Sequence, residues 1–475
     1  MRSGFLGSIA AWVAGAGLAW GQPGVVPAGP QRAWTTDLAD SQVIQAHVGR
    51  QGVMPPPITV SPAMPAPEGG PVYPPPKPWS LNDAQAPNGL GPDDGAAMCQ
   101  APRIWTTWEY LGWVLQSQPV RYPFITTSDV ASGGVIFAPT TSILFTETDI
   151  PYNLSNGFRI SGGLYWDSAC RSGFELSGFS LEDKRKTFRV DTDAGGSPVL
   201  ARPFVNFATG LQDALVVTSP AFASGGIQFS TDSQLWGAEG NLYLNLFRSC
   251  PACYCGGGAE FFAGLRYLEL TERIEIVSQS HLFPGVPDPA AFGTGVGVIS
   301  GGDRVLTIFD SFRTFNEFYG GNFGMRTELR CGCWVLTFTG KIALGDMHSI
   351  VDVGGATTFS RGVPPTVGSV RGGLLATPDS DGRDRQDRFT VVPEGTLNIG
   401  YQVTPNLQFF IGYNFIYINN VVRVGDVINP VVNPGVVPAS PAFGSTAGVF
   451  PGRAHQFEWS DFWAQGFNVG FTFRY

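Results

Sequence analysis

The sequence of 475 residues has little charge, few histidines and no long apolar run beyond its first segment. Charged residues make up only 14% of it, and a net charge of −9 with a pI near 5.0 argues against nucleic acid as a partner. Beyond residue 21, no apolar stretch reaches the length of about 18 residues that a membrane-spanning helix needs. The composition therefore excludes a helical membrane protein.

Aromatic residues and glycine are abundant instead, and the apolar residues recur at every second position. The segment GFNVGFTFRY at Gly466–Tyr475 shows this pattern most clearly. Side chains of a strand alternate between its two faces, so each such segment has one apolar and one polar face. The apolar face of this last segment consists of Phe467, Val469, Phe471, Phe473 and Tyr475. In so apolar a chain, a closed barrel with lipid outside and a polar lumen is favoured over a sandwich.

The composition divides the chain into three parts. Residues 1–21 have Arg2, an apolar stretch and small residues at Ala19 and Gly21, which predicts a secretory signal peptide. Residues 22–103 are rich in proline, which fixes the backbone and removes hydrogen-bond donors, so an extended tether is expected. This tether is either a spacer toward the cell wall or a leader without a partner. Residues 104–475 form the predicted barrel.

We predict an all-β fold, an antiparallel transmembrane barrel with long outer loops and short periplasmic turns. Ten spanning segments are recognised from Trp105 to the C-terminus, and the stretch Lys184–Ser219 has room for another hairpin, which would give twelve. The long connections are expected at Asp346–Arg388 and Asn419–Ala454. At the hairpin-sized connection RCGC, the alternation favours a register in which Leu329 faces Trp334.

The inward faces of these segments carry charged residues among Gly, Ser, Thr and Asn, as a wet lumen would. The predicted lumen-facing residues are Arg159, Glu239, Arg266, Arg326, Glu328 and Lys341. Ten to twelve strands enclose little space, because side chains nearly fill an eight-stranded barrel. Tyr243, Phe410 and Ile416 are also expected to point inward and narrow the lumen.

The seven cysteines are expected to gather at the periplasmic rim, where the short turns lie. Cys250, Cys253 and Cys255 belong to CPACYC, and Cys331 and Cys333 to CGC. Disulfides, free thiols and a zinc site are all open, but disulfides suit an exported protein best, and no second C-x-x-C pair supports a metal. We predict at least one disulfide between the two groups, and we predict no cofactor.

Other candidate sites have ordinary explanations. GTGVGVISGG at Gly293–Gly302 has the glycine content of a phosphate loop but lacks a strand-then-helix context, and is expected to be a surface loop. His281, His348 and His455 are expected in outer loops, the last two close in sequence to aspartates. Histidine–aspartate pairs can act in acid–base catalysis, but we predict no catalytic residue and no enzyme.

Several long motifs resemble a known family. They are LARPF, SQLWGAEGNL, GLRYLELTE, DSFRTFNEFYGGNFGMR, IALGDMHS, IGYNFIYINNVVRVGD and FWAQGFNVGFTFRY. Their order is similar to that of a bacterial outer-membrane family, the putative beta-barrel porins, the seventh of that name, from about Ile104 to Tyr475. The resemblance implies localisation in the outer membrane, contact with its lipid, and a last strand that the barrel-insertion machinery reads as its assembly signal.

Two functions follow from these features. The leading one is porin-like passive transport of small solutes through the lumen. The alternative is a structural or adhesive envelope protein. Its barrel would anchor the tether and the surface loops, and the tether would contact the cell wall. The small size expected for the lumen argues against passive transport, because transport requires a continuous aqueous path.

Overall fold

The computed structural model describes residues 104–145, 149–167, 170–249, 255–292, 303–445 and 457–475. The predicted signal peptide and tether lie outside these ranges, and so do Cys99, Cys250, Cys253, His455 and the glycine-rich stretch 293–302. Expectations about them stay predictions.

The described chain is almost entirely β-structure. One four-residue helix, α1 (Val424–Val427), and two short 3-10 turns, Ala290–Phe292 and Pro434–Val436, accompany the strands. The strands are β1 (Ile104–Leu115), β2 (Gln118–Pro119), β3 (Thr126–Ser128), β4 (Ser142–Ile143), β5 (Asp149–Ile150), β6 (Leu154–Tyr165), β7 (Ser172–Leu181), β8 (Lys184–Asp191), β9 (Val199–Asn206), β10 (Gln212–Thr218), β11 (Ala223–Arg248), β12 (Cys255–Leu282), β13 (Val305–Cys331), β14 (Trp334–Arg361), β15 (Thr366–Arg371), β16 (Gly382–Gln402), β17 (Leu407–Val422), β18 (Val431–Val432) and β19 (Trp459–Arg474).

Ten of these strands form a closed antiparallel ring. Around the ring they follow the order β1, β6, β7, β11, β12, β13, β14, β16, β17 and β19, and β19 pairs with β1 to close it. The predicted fold class, an antiparallel β-barrel, is confirmed. The additional hairpin considered for Lys184–Ser219 does not enter the ring, because β8 continues the line of β7 along β11 and β9 and β10 join another sheet.

The outer face of the ring is an uncovered apolar belt near the short turns. Leu265 is 75% exposed, Leu329 60% and Ile411 57%, and each lies between inward-facing residues on its strand. So large an apolar surface is incompatible with water and suits contact with lipid. On the side of the belt away from the short turns, the outward positions become charged. The next outward residue beyond Tyr319 on β13 is Glu317, and the next beyond Leu344 on β14 is Asp346.

The prediction of a long connection at Asp346–Arg388 is wrong. Strand β14 runs on to Arg361 and β16 begins at Gly382, while β11 to β14 reach 26 to 28 residues each. About 9–11 residues suffice to cross a bilayer, so these strands extend the wall well beyond the membrane. Beyond the membrane the outward faces of these strands carry charged residues, so the sequence lacks the apolar alternation that indicates a spanning strand.

The expected register at the CGC hairpin is wrong by two residues, although the faces are right. Leu329 lies opposite Leu336, and Cys331 lies opposite Trp334. The turn contains only Gly332 and Cys333, and Gly332 adopts a φ of 58°, as the first central residue of a tight hairpin turn requires. Because a shift of two keeps the parity, Trp334 and Leu336 still face outward.

Inside the extended part of the wall lies a second, smaller sheet. Strands β10, β9, β3 and β4 follow one another in it, and β18 adds to β9 in parallel. Its buried residues, such as Leu200 and Phe204, share one apolar cluster with inward-facing wall residues such as Phe229 and Phe312. We call this inner sheet, together with segments 372–381 and 423–445, the plug.

Among the described residues, no helix is long and apolar enough to cross a membrane.

The closing strand gives the first test. Removing Phe473–Tyr475 deletes the pairs of Phe473 with Leu407 and Thr106, and the hydrogen bond from the Tyr475 amide to the Ile104 carbonyl at 2.8 Å. We expect the truncated chain to lose the closed form, because an unpaired ladder edge is unfavourable in lipid. Heat-modifiable migration on gels of the membrane fraction measures this. An Arg474→Lys variant, which keeps the aromatic residues, should migrate as the unmodified chain does; normal migration of the truncated chain would contradict the expectation.

Candidate functional site: the filled lumen and its plug

The structure places all six predicted lumen residues on inward faces of the wall. Arg159 and Arg266 are buried, and Glu239, Arg326, Glu328 and Lys341 are largely covered. Alternation explains this, because their outward neighbours, such as Phe158 and Leu265, form part of the apolar belt. The aromatic and aliphatic residues expected to narrow the lumen, Tyr243, Phe410 and Ile416, are buried as well.

Glu394 holds together a central cluster of charges. Its carboxylate accepts a hydrogen bond from the Arg266 guanidinium, lies 3.3 Å from the Lys341 Nζ, and lies 3.5 Å from an Nη of Arg159. Lys341 also donates to Glu239 at 2.8 and 2.9 Å. The full cluster consists of Glu109, Arg159, Glu239, Arg266, Lys341 and Glu394. Three cations meet three carboxylates, so the charges balance inside the wall.

Sequence reasoning missed Glu394 and Glu109, although a signal was present. Glu109 lies in the predicted first strand at the same parity as Thr107 and Leu111, which point inward. Glu394 shares the parity of Asn398, but Pro393 beside it hid the continuation of β16. Alternation extended through the proline would have found Glu394.

A second ionic group lies nearer the short turns. Arg326 donates to both carboxylate oxygens of Glu175 at 2.9 and 3.1 Å and lies 3.4 Å from Glu260. Its guanidinium stacks on Trp105 and Phe262, 6.0 and 5.9 Å from the ring centroids. The predicted lumen residue Glu328 pairs with Arg330 and lies 3.9 Å from Arg474. These charges therefore contact one another across the lumen.

An apolar layer covers the central cluster on the plug side. The wall contributes its side chains, among them the buried residues Leu111, Trp113, Phe179, Leu235, Leu268, Phe318, Met347, Ile416 and Phe462. Arg159 joins the two layers, because its guanidinium lies 5.6 Å from the ring of Trp113 and 5.7 Å from that of Phe179. Cation–π contacts of this kind are strongest where water is excluded.

Two buried ion pairs fasten the plug to the wall. Arg423 donates through Nε to both oxygens of Glu272, each at 2.9 Å, and both side chains are at most 1% exposed. Arg202 of the inner sheet donates to Asp310 of β13 at 2.6 Å, again with both side chains almost fully buried. In each pair the plug supplies the cation and the wall supplies the carboxylate.

Hydrogen bonds to the backbone complete the attachment. Asp310 also accepts the amides of Leu375 and Ala376 at 2.9 and 2.7 Å, which holds segment 372–381 inside the wall. Where the chain enters the plug, the Asn316 side chain donates to the carbonyl of Val422, the last residue of β17, and accepts its amide, at 2.9 and 2.8 Å. These contacts satisfy backbone groups that would otherwise be buried without partners.

Burial affects the protonation of one carboxyl group in the plug. Asp426 of α1 lies in the plug, and desolvation raises the pKa of its carboxyl, while the Arg121 guanidinium at 2.7 Å lowers it. The two side chains differ in exposure, because Arg121 is largely exposed and Asp426 is almost fully covered. Arg121 therefore caps the plug at its solvent side.

The described cysteines lie at the short-turn end. Cys255 and Cys331 face each other across β12 and β13 with their Cα atoms 4.2 Å apart, and they form a disulfide. The bridge links the two hairpins through directly opposed strand ends. Cys333 in the next turn is exposed, and Cys170 is buried in the turn before β7.

Two of the histidines expected in loops, His281 and His348, lie in strands, so the expectation is wrong for them. His281 belongs to β12 and His348 to β14. His348 contacts Asp387 of β16 through Nδ1, on the outer face of the wall above the apolar belt. Among the described residues, no three His, Cys, Asp or Glu side chains come together as a metal site.

A closed antiparallel ring with an apolar outer belt, a charged interior and short turns at one end is the architecture of a membrane β-barrel. The family model described as "Putative beta barrel porin-7 (BBP7)" matches residues 105–475, and the chain belongs to this family. The resemblance read from the sequence motifs is confirmed.

The other comparisons give distant similarities. No curated protein matches the chain. The outer membrane protease OmpT from Escherichia coli is 9% identical, with 79% of this chain and 98% of that chain covered and a TM-score of 0.33. The toluene transporter TodX of P. putida is 9% identical over 78% and 90%, with a TM-score of 0.13. These similarities are too distant to indicate an activity.

The central cluster gives the second test. Replacing Glu394 by Ala leaves Arg266, Lys341 and Arg159 without their shared carboxylate, and losing one partner of a buried pair costs about 3–5 kcal/mol. We expect a loss of this size in the free energy of unfolding, measured with urea in lipid vesicles. Glu317→Ala is the matched control, because Glu317 lies on the outer wall, where it accepts the Tyr319 hydroxyl at 3.1 Å. Its effect should stay within about 0.5 kcal/mol; equal effects of both changes would contradict the prediction.

The plug gives the third test. In Arg423→Leu the carboxylate of Glu272 stays buried without its cation, which favours release of the plug from the wall. We expect limited proteolysis to cut segment 424–445 faster while the barrel itself stays resistant. Arg189→Leu removes a solvent-exposed pair with Asp191 on the same wall strand and should leave the digestion pattern unchanged. Protection of the segment in the Arg423 variant would show that this ion pair does not hold the plug.

Proposed function

We propose that the protein is a sealed outer-membrane barrel that serves as an anchor in the cell envelope. The observation that carries this proposal is the filled lumen, in which ionic groups, an apolar layer and the plug follow one another along the barrel. Each layer consists of side chains that contact each other. The barrel then acts as a fixed support for whatever is attached to it on either side of the membrane.

The layers oppose passive transport for different physical reasons. A solute passing the central cluster would have to separate Glu394 from Arg266, Lys341 and Arg159, whose charges neutralise one another. It would next have to displace the buried side chains around Trp113 and Phe318, which belong to one apolar cluster. Eight strands already enclose only enough room for side chains, and about sixteen are typical of an aqueous channel, so ten strands suit a filled interior.

Porin-like transport of small solutes was the leading expectation from the sequence, and membership of a porin family supports it. Taken from the sequence alone, the same charged residues favour a wet lumen. Their pairing weakens that support, because charges that neutralise one another do not need water to solvate them. Anchoring is therefore the better proposal, and it requires no catalytic step.

The apolar belt supports a location in the outer membrane with lipid as the barrel's surroundings. On this view, the barrel-insertion machinery would receive the last strand, with Phe467, Val469, Phe471, Phe473 and Tyr475 as its signal. The proline-rich residues 22–103 precede β1 in the chain and would serve as the link to the cell wall. The tall part of the wall would stand on the opposite side, at the cell surface.

Planar bilayer recordings test the proposal. We expect the purified full chain to give no steady single-channel openings at any applied voltage that the bilayer withstands, while an open porin inserted under the same conditions conducts. Heat-modifiable migration of the same sample shows that the barrel is folded. Steady, reproducible openings from the folded protein would reject the anchor and restore passive transport.

A further inference from the structure

A break in the outer wall leaves a cavity on its charged upper part. Between β15 and β16, segment 372–381 leaves the wall and turns inward, so Gly354 of β14 pairs with Ser311 of β13 on one side and has no strand partner on the other. A cavity of about 290 Å³ opens at this point, lined by Phe309, Ser311, Arg313, Asp352 and the backbone of 354–356. A Cβ atom added at Gly354 would meet nothing within 4 Å. The glycine thus gives the cavity a flat floor with free space above it.

The cavity carries an unusual set of charges. Arg313 and Asp352 lie opposite each other on β13 and β14, yet no ion pair joins them within the described residues. Arg313 rests on the ring of Phe315, 5.6 Å from its centroid, and Arg383 of β16 stacks on the same ring at 5.8 Å. Arg385 follows at the next outward position of β16, opposite Ile350. Asp352 therefore has an arginine directly opposite it on each neighbouring strand, Arg313 on β13 and Arg383 on β16.

This combination points to a ligand with two kinds of polar group. Guanidinium groups bind phosphate through paired, charge-assisted hydrogen bonds. A carboxylate such as that of Asp352 accepts hydrogen bonds from hydroxyl groups. The ring of Phe309 and the bare backbone at Gly354 offer a flat surface for an uncharged, disc-shaped group. We propose that the cavity binds a phosphorylated saccharide, with Arg313 at the phosphate and Asp352 at the sugar hydroxyls.

The height of the cavity distinguishes this ligand from an ordinary phospholipid. The apolar belt ends at Tyr319 on β13, and Arg313 lies about 20 Å further along the strand, or about 15 Å higher at the usual tilt. The headgroup layer of a bilayer is only about 5–8 Å thick. A phosphate at the level of Arg313 must therefore stand above the headgroups, as it does in a sugar chain on a surface glycolipid or in a free sugar phosphate.

Titration calorimetry of the full chain in detergent tests the site, with glucose 1-phosphate, glucose and inorganic phosphate as probes. We expect glucose 1-phosphate to bind more tightly than either of the others, since only it can use both charged groups. Arg313→Gln should weaken its binding at least about tenfold, as loss of a charge-assisted contact does. Gly354→Val should abolish binding by filling the cavity. Gly395→Val is the matched control, because its Cβ also meets nothing within 4 Å, and it should bind normally.

Unchanged binding in Gly354→Val, or absence of binding in the unmodified chain, would overturn the proposal. Equal binding of inorganic phosphate would reduce the site to an anion site and reject the saccharide. Heat-modifiable migration of each variant shows that it is folded. A second measurement identifies the source: capture of lipopolysaccharide vesicles by the unmodified chain but not by Gly354→Val assigns a membrane-borne sugar phosphate, and binding of glucose 1-phosphate alone assigns a soluble one.

Discussion

The charge balance around Glu394 is the constraint on which the rest of the barrel depends. A charge facing the interior of a narrow barrel has little water to solvate it, so it needs a counter-charge at contact distance. Six strands supply one member each to the central cluster, and their register decides whether the groups meet. A slip of one residue in any of them would bury an unpaired charge and turn an aromatic residue inward. The cluster therefore fixes the wall as well as filling it.

The sequence allowed the wall to be predicted where one face is apolar and the other polar. Arg326 and Lys341 were assigned inward because Met325 and Ile342 beside them are apolar, and the structure has all four on those faces. The prediction failed where both faces depart from this pattern. On the upper part of β13, the inward Phe312 is apolar and the outward Arg313 is charged, which reverses the pattern of the membrane-spanning part.

The plug was beyond sequence reasoning for a different reason. Its contacts join residues far apart in the chain, such as Arg423 and Glu272, which are separated by 151 positions. The segments that carry them have no period of two or of 3.6, because they are held by individual ion pairs and by carboxylate contacts to single amides. Only the tertiary structure shows that a loop rich in Val and Pro returns to the inside of the wall.

The unequal height of the wall bears on how the barrel is formed. Strands β11 to β14 are neighbours in the chain, so their long ladders can form from local hairpins with a low entropic cost. The join between β1 and β19 brings together residues such as Thr107 and Thr472, 365 positions apart, and β1 has only 12 residues. The tall hairpins can therefore assemble early as an open, curved sheet, whereas the short side closes last. Until then both β1 and β19 are free edges, and this exposes the unfinished protein to pairing with other chains.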